Sequence, residues 1–207
     1  MFTILMLIIL FASVAMLVRE GLWSNTIRLF NVITAGLLAT SLWEPVADWL
    51  EGMAPTFTYL LDFLALWLVF CVAYIVLRAA ADKLSRVQVR FKQPVNMGGG
   101  AFVALWIGWV LVCFTSMTLH TAPLSRDFMN GALSPDPQAS TFLGFSPDRQ
   151  WLAFVQQVSR GSLATSPSAG VEGEEGMNVF DPRGEFVYKY GQRRNEFEEQ
   201  PELRVNR

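Results

Sequence analysis

The chain has 207 residues, of which 52% are hydrophobic and only 16% charged, with a formal net charge of −2; a soluble domain carries roughly 25% charge. The first 120 residues hold 78 of the 108 hydrophobic residues and a net charge of +1, and the last 87 hold 30 and a net charge of −3. This contrast excludes a uniform globular domain, a disordered protein and a disulfide-stapled secreted miniprotein, and leaves an all-α integral membrane domain (1–120) followed by a polar tail (121–207).

Met1–Val18 carries no charge and stops at Arg19-Glu20. A bilayer core takes roughly 20 apolar residues, with about 17 as the lower edge. Ser13-Val14-Ala15 could mimic a cleavage site, but no basic residue precedes the apolar run, as a signal peptide requires. A second span is predicted from about Thr26 to Trp43, a third over Phe57–Leu77 and a fourth over Ala101–Leu119. Four transmembrane helices are therefore expected.

Loop charge orients them. Arg19 and Arg28 flank the first connection, Glu44, Asp48 and Glu51 lie in the second, and Arg78, Lys83, Arg86, Arg90 and Lys92 lie in the third against a lone Asp82. Basic loops stay cytoplasmic, so both termini are expected outside, with the third-loop bases on anionic lipid headgroups. Trp23, Trp43, Trp49 and Tyr59 sit at helix edges, where amphipathic rings favour the headgroup level.

Packing in lipid needs close backbone approach. Gly100, Ala104 and Gly108 recur every four residues on the fourth helix, and Asn31, Ala35 and Ala39 on the second. The expectation is that these faces meet, with Asn31 bonding across; the competing reading is that small residues are merely common in membrane helices.

The Arg19-Glu20-Gly21 turn, the acidic second loop, the basic third loop and the Gly-rich start of the fourth helix resemble, in order and spacing, the colicin V production protein (CvpA) family. The likeness covers about residues 1–120. Where members commonly carry an acidic–aromatic pair before the last helix, this chain has Asn96-Met97. The resemblance implies a bacterial inner-membrane protein needed for toxin production or envelope homeostasis, with no established chemistry. Some members add an extracytoplasmic serine protease domain, for which an 87-residue tail is too short.

Asp62 is the one acid inside an apolar run. An intramembrane acid can relay protons or pair with a base. It lies only about 7–8 Å into its helix at roughly 1.5 Å per residue, so solvation by interfacial water is the favoured reading. Arg28 and Glu20 can pair at the cytoplasmic mouth. Cys71 and Cys113 read as small buried hydrophobes, and His120 lacks neighbouring ligands for a metal. No phosphate loop, Gly-x-Ser-x-Gly or His-Glu-x-x-His motif occurs. No cofactor, metal or nucleic acid is expected.

In the tail, 121–145 reads as a linker. Ser146-Pro147-Asp148 starts an amphipathic helix over 146–161, with Trp151, Leu152, Phe154, Val155 and Val158 at helical spacing. That face either docks on a membrane or partner, or packs on the tail or the bundle's outer mouth. Residues 162–178 read as flexible. Asp181-Pro182-Arg183-Gly184 and the alternating Phe186, Tyr188 and Tyr190 suggest a short hairpin over 179–192.

The leading functional expectation is a non-enzymatic membrane protein acting through other membrane or envelope proteins, or as a homo-oligomer, in the inner membrane. The alternatives are a small oligomeric transporter or channel subunit and, less favoured, a membrane enzyme.

Overall fold

A computed structural model describes residues 1–85, 89, 91–125, 128–134, 136, 142–160, 180, 181 and 183–199. Arg86, Arg90 and the stretch expected to be flexible (162–178) lie outside the described residues. The fold is all-helical, with no strand among the described residues. In chain order it comprises α1 (Phe2–Leu17), α2 (Leu22–Met53), a 3-10 turn at Pro55–Phe57, α3 (Thr58–Leu84), α4 (Gln93–Thr121), α5 (Pro147–Arg160) and α6 (Phe186–Glu199).

Three helices, α2, α3 and α4, are long and apolar enough to cross a membrane, while α1 is apolar but has 16 residues. The helices overrun the expected spans. Most of the expected second loop continues α2 through Pro45 to Met53, and both edges of the third loop are helical. A helix bonds its own backbone, so it costs little to run it past the hydrocarbon into the headgroup layer.

α2 and α3 form the main hairpin, α4 lies against α2 and α1, and α5 lies on α4. The core is aromatic and small residues in alternation: Phe114 stacks on Phe70 with ring centroids 4.7 Å apart and meets Trp67 edge-on at 5.5 Å, beside the buried Ala35, Ala39 and Ala65.

The small-residue stripe of α4 meets a different partner from the one expected. Gly108 faces Leu10 and Ser13 of α1, and Gly100 faces the backbone of Gly21 and Leu22. The cross-helix amide is Asn25, which donates to Leu17 O and Gly100 O, both at 2.9 Å. Asn31, Ala35 and Ala39 are buried in α2, the two alanines within the central cluster. A stripe at fixed spacing specifies a smooth face but not the neighbour that fills it. Asn96 accepts from the Leu22 N–H at 2.9 Å, and Gly21 takes φ +84°, so the α1–α2 turn sits directly on the Gly-rich start of α4.

The expected hairpin over 179–192 is replaced by α6. The turn forms, with Gly184 N–H donating to Asp181 O at 3.1 Å. The Asp181 carboxylate then accepts from the N–H groups of Glu185 at 2.7 Å and Phe186 at 3.1 Å, which satisfies orphan donors of a helix start. Phe186 and Tyr190, read as alternating, are also four apart, and their ring centroids lie 4.8 Å apart on one helical face.

The glycine geometry yields a paired test. A Cβ at Gly100 would come within 3.0 Å of Gly21 backbone carbon, whereas one at Gly98 meets nothing within 4 Å. Gly100→Ala is expected to cost about 1–3 kcal/mol. Gly98→Ala should be neutral or stabilising by up to about 1 kcal/mol. Thermal melts of both variants in mild detergent check this.

Candidate functional site

The bundle has two ends. At one lie the α1–α2 turn and the α3–α4 loop; at the other lie the start of α1, the α2–α3 turn, the end of α4 and both tail helices. The first is the basic end. Arg28 pairs with Glu20 at 3.0 Å, and the indole N–H of Trp23 donates to Ser85 at 3.2 Å. Arg78 lies 3.9 Å from Asp82, both exposed, and Arg19, Lys83 and Lys92 are also exposed. None of these bases reaches a buried group, so their chemistry is that of a charged rim.

The tail end holds the buried charges. Asp62 is 8% exposed. It accepts from the Tyr190 hydroxyl at 3.0 Å and from the Arg193 guanidinium, both on α6. Arg193 also donates to Thr58 O at 3.1 Å and lies over the Tyr59 ring, 5.2 Å from its centroid. Asp62 is therefore held by a base rather than by interfacial water. Burial first, and then the neighbouring Asp62 carboxylate, push the Tyr190 phenol up, so it stays a donor.

A second pair joins α4 to α5. His120 Nε2–H donates to Asp148 Oδ2 at 2.9 Å, and the two side chains are 0% and 2% exposed. Burial alone would raise the Asp148 carboxyl. The hydrogen bond and charge of His120, followed by the backbone N–H and guanidinium of Arg149, outweigh it and hold Asp148 below the ordinary aspartate range. Trp151 follows one turn later and seats its ring over Gly36, where a Cβ would lie 2.5 Å away, and edge-on to Phe114 at 5.4 Å. In sequence Asp148 is a helix-start acid and His120 stands isolated. The detectable signal was the coincidence of the one histidine at a helix end with an acid at the next helix start.

Ser116 and Cys113 lie one and two turns before His120 on the same face of α4, so nucleophiles and a His–Asp pair share one buried cluster. Ser116 Oγ and His120 Nδ1 are both without a partner, and the Cys113 thiol is directed to Gln150 Oε1 at 3.9 Å. A serine or cysteine poised for acyl transfer would be hydrogen-bonded to its base and open to substrate. Here Ser116 and His120 are each 1% exposed. Cys71 lies on the exposed side of α3 rather than buried. Among the described residues no group of three or more His, Cys, Asp or Glu side chains could hold a metal ion.

The family model for the colicin V production protein matches residues 2–145. The chain belongs to that family. No curated protein and no solved structure matches it. The family match and the apolar helices make this a multi-pass membrane protein of the colicin V production type. The match runs past α4 and stops two residues before α5, so His120 and Asp62 lie within it while Asp148, Tyr190 and Arg193 lie beyond it.

A carboxyl held below its unfolded value adds stability above that value and loses it as pH falls through the folded one. Docking of α5 is thus expected to be intact at neutral pH and to weaken below about pH 4. Hydrogen exchange of α5 amides measures it, and Asp148→Asn should remove the dependence. Arg193→Gln leaves Asp62 without its base, and is expected to cost roughly 3 kcal/mol, read by thermal melting and by proteolysis of the tail.

Proposed function

We propose that the chain is a bacterial inner-membrane protein that supports toxin production and secretion, or envelope homeostasis, by associating with other membrane or envelope proteins, and that it performs no catalysis. Family membership supports the setting. The observation that carries the mode of action is the tail end: α5 and α6 seal the mouth of the bundle through His120–Asp148 and Asp62–Arg193. The one intramembrane acid is neutralised by a base, and the nearby His–Asp pair is closed to solvent. Such a mouth suits a rigid platform for partners better than a pathway or an active site.

In this reading α1 is a fourth span. With Met1 and Val18 its apolar run reaches the lower edge of a bilayer crossing. The exposed bases Arg19, Lys83 and Lys92 gather at one end with Arg28 and Arg78, and Glu44, Asp48 and Glu51 lie at the other. The positive end stays in the cytoplasm, so both termini and the tail helices face outward.

Two measurements test the proposal. A reporter active only in the cytoplasm should be silent when fused after Arg207; activity there overturns the topology. Crosslinking in cells, followed by purification in mild detergent, should recover defined membrane or envelope partners. A homo-oligomer that passes ions in liposomes would instead establish the transporter reading.

A further inference from the structure

A cavity of about 650 Å³ opens between α2 and the two tail helices, with Tyr190, the phenol that donates to Asp62, in its wall. This volume lies within the roughly 300–1,000 Å³ of small-molecule sites. The α2 wall is ordered by height. Leu37 stands lowest, Thr40 and Ser41 follow one turn on, and Glu44 stands highest beside Trp43. From Leu37 to Glu44 the helix climbs about 10 Å at about 1.5 Å per residue, and Glu44 is the first charged residue of α2 after Arg28, so it marks where the apolar run ends. The wall therefore passes from apolar through hydroxyl to charged over that height.

The tail completes it. Val155 and Val158 of α5, past the Trp151 anchor on Gly36, add apolar surface. Glu185, just before α6, and Lys189 on α6 add charge near Glu44, and all three are exposed and outside any ion pair described above. The Thr40 and Ser41 hydroxyls offer lone pairs rather than protons, since both donate to carbonyls of their own helix, while Ser159 donates to Gln156 O and accepts from Phe180 N–H. The upper cavity thus presents carboxylate and hydroxyl acceptors with one cationic donor.

We propose that this cavity holds one phospholipid with an amine headgroup, its ammonium on Glu44 and Glu185, its phosphate on Lys189 and its chain along Leu37, Val155 and Val158. A phosphate–ammonium zwitterion matches the charges present, whereas a glycerol headgroup leaves the carboxylates without a cation. The proposal rests on α2 crossing the bilayer and not on which leaflet its end reaches, so it stands or falls independently of the orientation given above.

The test uses the full chain in mild detergent, with phosphatidylethanolamine or phosphatidylglycerol of identical acyl chains added and bound lipid counted by native mass spectrometry. One phosphatidylethanolamine per chain should be retained, with about tenfold preference over phosphatidylglycerol, the effect expected of a lost charge-assisted hydrogen bond. The double variant Glu44→Gln, Glu185→Gln changes only exposed side chains and should abolish the preference. Ser41→Trp should fill the cavity and abolish retention of both lipids. Equal or stronger retention of phosphatidylglycerol by the unmodified chain, or phosphatidylethanolamine retention unchanged in the double variant, overturns the proposal.

Discussion

A carboxylate within an apolar helix costs several kcal/mol unless a cation and further donors meet it. At Asp62 those groups come from residues 128 and 131 positions later in the chain, Tyr190 and Arg193. The same condition holds at His120, whose partner Asp148 comes from α5. Because each half of each pair is costly alone, the tail and the membrane helices must fold against one another. The Asp181 cap that starts α6 and the Gly36 notch that accepts Trp151 are the local devices that bring those groups within reach.

The opposite end is held by different physics. Glycine removes side-chain bulk so that the α1–α2 turn can lie on α4 at backbone contact. Asparagine side chains then satisfy the groups that this close approach leaves open: Asn96 takes the first N–H of α2, and Asn25 donates to Leu17 and Gly100 carbonyls. Asn96 therefore has a direct use here, as an acceptor at a helix start. The two ends suit different duties: an amide-bonded joint within the bundle under a basic rim, and a charged seal that joins it to the tail.

The mouth contains groups that in an open setting would suggest catalysis, a His–Asp pair with Ser116 and Cys113 on the same helix face. Here they are buried, and Ser116 Oγ and His120 Nδ1 are not hydrogen-bonded to one another. The accessible chemistry lies to the side, in the cavity between α2 and the tail, where charge, hydroxyl and apolar surface are ordered along α2.

Much of this was legible in one dimension. Apolar runs of bilayer length revealed the membrane helices, because burial in lipid acts on each segment separately. The Ser146-Pro147-Asp148 start revealed α5, because capping is local. The Arg19-Glu20-Gly21 turn and Gly-rich α4 pointed to the family. What remained open were relations between faces. Gly100 and Gly108 announced a smooth surface, yet α1 and the turn fill it rather than Asn31, Ala35 and Ala39. Phe186, Tyr188 and Tyr190 satisfied both an alternating and a four-residue period, and only the packing of Phe186 and Tyr190 against the bundle selects the helix. Asp62, His120, Asp148 and Arg193 were each visible as residues, but not as pairs. Sequence by itself determined which segments enter the membrane, since that depends on local composition; tertiary structure decided which charges meet there, since the partner of a buried group is chosen by geometry across the whole fold.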